Sequence, residues 1–170
     1  MARYSKLNKP TDQRKALLRN QVSALLMHGK IRTTLARAKD VSRIAEKMIS
    51  LAVKNHDQII KIKKEVNNEK GQTVTIEVTN DLPLKLNARR KLMSYVYDIK
   101  APREKDETKK EYADRHRKVK HPLIEKIFNE YGAKYDARNK KENCGGGYTR
   151  IIKIGPRRGD AAEEVIIELI

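Results

Sequence analysis

The sequence predicts an α+β fold: helices packed on a small mixed β-sheet, opened by an N-terminal αα-hairpin and closed by a C-terminal β-hairpin. Three observations carry this. Two stretches near the start, about 11–28 and 35–54, show helical apolar periodicity and are separated by a short link. The far end instead alternates apolar and polar residues on either side of Gly155-Pro156. Finally, 170 residues with 38% hydrophobic content suffice for one modest core, so both ends must share it in a single domain over residues 1–170.

Taken in order, residues 1–10 are polar and basic and end at Pro10, which reads as an extended arm. Thr11 or Asp12 is placed to cap a helix running to about His28, with Gly29 as its stop. Leu18, Val22, Leu25 and Leu26 give that helix one apolar face, and Lys15 and Arg19 lie four apart on another. Lys30-Ile31-Arg32 reads as a link to Thr33-Thr34, a second capping signal. The next helix has Ala38, Val41, Ala45, Met48 and Ala52 as its core stripe, while Lys39, Arg43 and Lys47 repeat every four residues elsewhere on its surface.

Residues 55–82 are harder. Thr73 to Thr79 alternates strictly and predicts a half-buried strand. Ile60, Ile62 and Val66 fit a hairpin partner turning through Asn67 to Gly71, although Ile59, Ile62 and Val66 also fit a continued helix. Pro83 opens a helix to about Asp98, with Ala88, Leu92, Tyr95 and Val96 inward and Lys85, Arg89, Arg90 and Lys91 mostly outward. Residues 100–120 mix charges of both signs and read as a solvated loop or exposed helix. Pro122 starts a helix with Leu123, Ile124, Ile127, Phe128 and Tyr131 on its apolar face, ending before Gly132. After Lys134 the chain reads as loop, then as strands from Tyr148 to Ile154 and Val165 to Ile170.

The net charge is +17, and 36% of residues are charged against about 25% in an average domain. The excess is concentrated. Between Met1 and Lys47 stand Arg3, Lys6, Lys9, Arg14, Lys15, Arg19, Lys30, Arg32, Arg37, Lys39, Arg43 and Lys47, opposed only by Asp12, Asp40 and Glu46. Like charges at this density repel unless a polyanion neutralises them, and nucleic acid is the first candidate. A solvated helix face is the bland reading of any such stripe, but solvated faces ordinarily carry acidic partners. Arg14, Lys15, Arg19, Lys39 and Arg43 are the strongest phosphate contacts, with the arm ordering on binding.

Aromatic residues make up 5% and include no Trp, too few for a base-stacking platform, so backbone and shape are what this chain would read. Gly145-Gly146-Gly147 lacks the trailing Lys-Ser/Thr of a nucleotide-cradling loop and reads as a connector. Arg138, Tyr148 and Arg150 alongside it, and Arg157 and Arg158 at the last turn, are further candidates for RNA contact.

Other classes find little support. One cysteine, Cys144, excludes an intramolecular disulfide and suits a reducing setting. No apolar run approaches the roughly 20 residues of a membrane helix, and the basic start lacks the apolar run of a secretory signal, so a cytoplasmic protein is expected. His116, His121 and Cys144 do not make a metal set, and no activated nucleophile or carboxylate pair is evident. No metal, cofactor or small-molecule substrate is expected. The competing readings are a basic RNA-processing or RNA-modifying enzyme, which needs a pocket of convergent polar groups, and a DNA-binding regulator using the helix pair.

The ordered motifs resemble the bacterial large-subunit ribosomal protein seventeen (L-seventeen) family. They run from Lys15-Ala16-Leu17-Leu18-Arg19-Asn20 through His28-Gly29-Lys30-Ile31 and Thr33 to Lys39, then Ala45-Glu46-Lys47 and Leu51-Ala52. Asn87-Ala88-Arg89-Arg90, Phe128-Asn129-Glu130, Gly146 to Lys153, Gly159-Asp160-Ala161 and Ile167 to Ile170 complete the match. Residues 55–82 and 99–121 look like insertions, and Lys140 to Cys144 lengthens the loop before the glycines. The resemblance implies a non-catalytic constituent of the large ribosomal subunit, bound to its RNA near the peptide exit tunnel. Neighbouring large-subunit proteins would be partners and the cytoplasmic ribosome its location. The implied fold, helices against a small mixed sheet, agrees with the reading from the residues.

Overall fold

Gly29 stops the first helix because the chain must turn sharply there. In the computed structural model, which describes residues 5–67, 73–100 and 103–170, helix α1 (Thr11–His28) ends with Gly29 at φ 80° and its N–H on Leu25 O. Neither Thr11 nor Asp12 caps the other end through its side chain; Pro10 occupies the cap position and its carbonyl accepts from Arg14 N–H. Asp12 sits in the first turn, where it favours the positive end of the helix dipole. The described part of the arm is not simply extended: Leu7 and Asn8 both have φ 51°, and Lys9 N–H returns to Lys6 O.

The expected link after Gly29 is a strand, β1 (Lys30–Thr34). It leads directly into α2 (Leu35–Val53), with Thr34 at the cap position but making no side-chain cap bond. Five residues are too few to show an alternation, and the partner of β1 lies at the other end of the sequence. That partner is β5 (Glu163–Leu169), which also pairs with β4 (Thr149–Pro156), giving the order β1-β5-β4. Every described pairing is antiparallel, so the α+β class holds while the mixed sheet becomes an antiparallel one. Near its turn β4 carries an irregularity between Lys153 and Gly155, and Gly155 takes φ 135°, a conformation suited to glycine.

The core lies where α1, α2 and the inner face of this sheet meet. Val22, Leu25 and Leu26 of α1, Val41, Ala45 and Ile49 of α2, and Val165 and Ile167 of β5 are fully buried. The expected stripe of α2 is therefore the one observed.

The later helices complete the body. Helix α3 (Pro83–Tyr95) buries Ala88 and Leu92, with Val96 just beyond it. Helix α4 (Lys109–Lys118) is opened by a capping box in which Thr108 and Glu111 serve each other's backbone. Helix α5 (Pro122–Lys126) continues through a π-helical segment, Ile127–Gly132, into α6 (Ala133–Glu142).

Gly132 is thus not a stop. A Cβ there would stand 2.8 Å from His56 Cβ, so glycine is needed for close packing in mid-helix. The segment after Lys134 is helical to Glu142, held by buried Tyr135, one turn beyond Tyr131.

Of the two alternatives, residues 59–81 form the hairpin and not a continued helix. Strands β2 (Ile59–Asn67) and β3 (Thr73–Asp81) pair in register from Ile59↔Asp81 to Asn67↔Thr73. The expected turn residues 68–71 lie outside the described residues. The strand is not half-buried: all of β2, and all of β3 except Asp81, are exposed. The alternation in the sequence therefore marks a ribbon with one apolar face that no described element covers.

Candidate nucleic-acid interface

The packing of α1 against α2 leaves a shallow cleft of about 170 Å³ between them. Arg14 of α1 and Arg43 and Lys47 of α2 line it, together with Ser5 of the arm, and buried Asp40 contributes to its wall. Periodicity explains the convergence. Arg14 and Leu18 are one turn apart on α1, and Arg43 and Lys47 are one turn apart on α2. Lys47, absent from the strongest sequence candidates, was signalled by its four-residue spacing from Arg43. Lys15 and Lys39 are exposed nearby in sequence, Arg37 is half-buried, Lys6 is exposed and Lys9 half-buried. Arg3 lies outside the described residues.

Arg19 is used differently. Its Nε donates to Tyr95 O and its Nη2 to Ser94 O, while the guanidinium lies over the rings of Tyr97 and Tyr95 at 4.6 and 5.9 Å. It fastens the end of α3 to α1 and is not directed at solvent.

Arg89 is also turned inward. It pairs with Asp81 at 2.7 Å and with Glu125, and stacks over Phe128. Burial alone would lower its pKa, but hydrogen bonds to the two carboxylates outweigh that and hold it above its ordinary value. Lys85, also expected outward, is buried; it donates to His56 O and lies 3.4 Å from Asp81. Of the four expected outward, Arg90 and Lys91 are exposed.

At the glycine loop, Tyr148 is 2% exposed and cannot offer its ring to a base. It packs 4.8 Å from the Tyr135 ring, and its hydroxyl accepts from Asn139 Nδ2. Arg138 lies over both rings and donates to Gly146 O and Gly147 O, so it closes the loop onto the body. Thr149 N–H and Oγ1 both donate to Glu46 Oε1, tying β4 to α2.

The outer face of the sheet mixes signs. Register places Lys30, Glu168 and Arg150 side by side across the three strands, and Arg32 is paired with Glu164. At the β4–β5 turn, Arg157 grips Asp160 with two donors and holds its carboxyl down at about 2, chiefly through that side-chain hydrogen bond. Arg158 is exposed beside it.

Two other clusters come near to forming sites. A cavity of about 690 Å³ lies between α1, α4 and α5, but Glu104, Glu125 and Glu130 line it, which disfavours a polyanion. Arg115 there is engaged with Glu107, and Lys126 donates to Met27 O. His56, Asp57 and Asp136 bring donor atoms within 4.8 Å of one another, but Lys140 Nζ already sits 2.6 Å from Asp136. His121 and His116 diverge, the one beside Asp98 at 3.4 Å and the other edge-on to Tyr112. No helix among the described residues is long and apolar enough to cross a membrane.

Residues 17–170 match the family model described as ribosomal protein L17. Proteins named large ribosomal subunit protein bL17 are similar over 100% of this chain and 100% of their own length. That of Lachnospira eligens is 41% identical, that of Clostridium botulinum strain Hall 39%, and that of Acetivibrio thermocellus 37%. Likeness on this scale defines the class, a ribosomal protein and not an enzyme. The chain belongs to the ribosomal protein L17 family.

Proposed function

We propose that the chain is a structural constituent of the large ribosomal subunit that binds large-subunit rRNA near the peptide exit tunnel. The observation that carries this is the convergence of Arg14, Arg43 and Lys47 on one cleft of a chain with net charge +17. The mechanism is charge neutralisation. Cations placed along phosphates release counterions and let RNA segments approach. In this reading the contacts are made by the cleft with Lys15 and Lys39, the arm, Lys30, Arg32, Arg37, Arg90 and Arg150, and the Arg157–Arg158 turn. Arg19, Arg89, Arg138 and Tyr148 hold the fold that presents them. Neighbouring large-subunit proteins are further partners, and the working location is the cytoplasmic ribosome.

Sucrose-gradient fractionation combined with ultraviolet cross-linking tests the reading. The chain should be stoichiometric in large subunits, with cross-links to rRNA from the α1–α2 cleft. Free protein at the top of the gradient, or a cleft without RNA adducts, would overturn it.

A further inference from the structure

The β2–β3 ribbon has two unlike faces. Ile60, Ile62, Lys64 and Val66 share one face with Asn80, Val78, Ile76 and Val74 opposite them. The six apolar residues of this stripe are each 36–45% exposed. On the other face Lys61 meets Thr79, Lys63 meets Glu77 and Glu65 meets Thr75, so polar groups already face one another. The base is braced. Leu82 N–H bonds to Gln58 O, and Asp81 is held by Arg89 and Lys85. The base of the ribbon is therefore anchored to the body, yet an isolated two-stranded hairpin is marginal in water without something to cover its apolar side.

We propose that this apolar face docks on a neighbouring protein of the large subunit, one presenting an apolar strip with a carboxylate opposite Lys64. The inference rests on the ribosomal reading above. Charge distinguishes protein from RNA as the occupant. Lys61, Lys63 and Lys64 stand against Glu65, Glu77 and Asp81, so the described ribbon is formally neutral in a chain of net charge +17, with Asp81 at its base also paired to Arg89 and Lys85. A neutral ribbon has little to offer phosphates, and without an aromatic residue it cannot stack bases. Lys64 lies within the apolar stripe, and covering it requires an opposed carboxylate. A second copy of this chain is disfavoured by size, since a six-residue stripe falls short of the roughly 800 Å² per partner that a stable pair needs. A small contact suffices once RNA binding holds the body in place.

The test uses purified large subunits containing the full chain with a photo-reactive phenylalanine analogue in place of Ile76 or, as control, of Glu77. The Ile76 position should yield an adduct with a large-subunit protein, and the Glu77 position should not. Lys64→Glu should lower the adduct yield by about tenfold or more through like-charge repulsion, with occupancy of the chain in subunits unchanged. An adduct with rRNA, an adduct between two copies of this chain, no adduct in fully occupied subunits, or a yield unmoved by Lys64→Glu would overturn the proposal. Absence of the chain from large subunits would overturn the ribosomal reading itself, and this inference with it.

Discussion

The guanidinium carbon of Arg19 lies 4.6 Å from the centre of the Tyr97 ring, while its Nε donates to the carbonyl of Tyr95, 76 positions away in sequence. A cation that looks solvated by spacing is a bolt between α1 and the end of α3. Arg19→Ala should therefore destabilise the free protein by roughly 1–3 kcal/mol, combining a cation–π contact and a hydrogen bond. Lys15→Ala, one turn away and exposed, should leave the melting temperature unchanged and weaken RNA binding. Thermal melts of the two variants separate these roles.

The cleft makes a quantitative demand on salt dependence. Replacing Arg14, Arg43 and Lys47 together with Ala should reduce the slope of log affinity against log salt by about 2–3, given roughly 0.7–0.9 for each phosphate no longer neutralised. Removing equal charge at Lys105, Lys109 and Lys110, beside and within α4, should leave that slope nearly as it was. Filter binding to large-subunit rRNA across a salt series is the measurement, and equal slopes for the two triple variants would remove the cleft from the RNA-binding surface.

Gly132 offers a check on the packing between α2's far end and the π segment. With His56 Cβ only 2.8 Å from where a Cβ would stand, Gly132→Ala should cost about 1–3 kcal/mol through overpacking. A companion His56→Ala keeps the offending Cβ and should recover little of that cost, whereas His56→Gly should recover most of it. A double-mutant cycle in denaturant reads this directly.

Tyr131 links pH to stability. Its hydroxyl donates to Leu26 O at 2.8 Å, and burial, with the Glu130 charge adding to it, pushes its pKa up to about 12. Folding thus favours the protonated phenol. That contribution is fully present below about pH 10, the ordinary tyrosine value, and is lost as pH rises through 12. Tyr131→Phe should cost about 1 kcal/mol at neutral pH for the missing hydrogen bond and should flatten the alkaline decline, as followed by melts between pH 9 and 12.

Local periodicity made much of this legible. The apolar stripes of α1 and α2, the stop at Gly29 and the alternation of β5 depend on neighbours within a few residues, and all stand where the sequence places them. What escaped depends on distant partners. β1 is a strand because β5 lies beside it, and nothing in Lys30 to Thr34 announces that. Arg89 turns inward because Asp81 and Glu125 meet it there. Tyr148 is buried because α6 continues past Gly132 and delivers Tyr135 against it. For the interface, the count and clustering of cations were readable, but which of them the fold had already engaged was not.

The order β1-β5-β4 also constrains how the molecule comes into being. The central strand follows both of its neighbours in sequence, so a growing polypeptide carries β1 unpartnered until residues 163–169 have been made. Such non-local closure is slow by nature. A nascent copy halted before β5 would leave Ile31 and the α2 side of the core uncovered, an open edge inviting aggregation or proteolysis that closes only once β5 has been made.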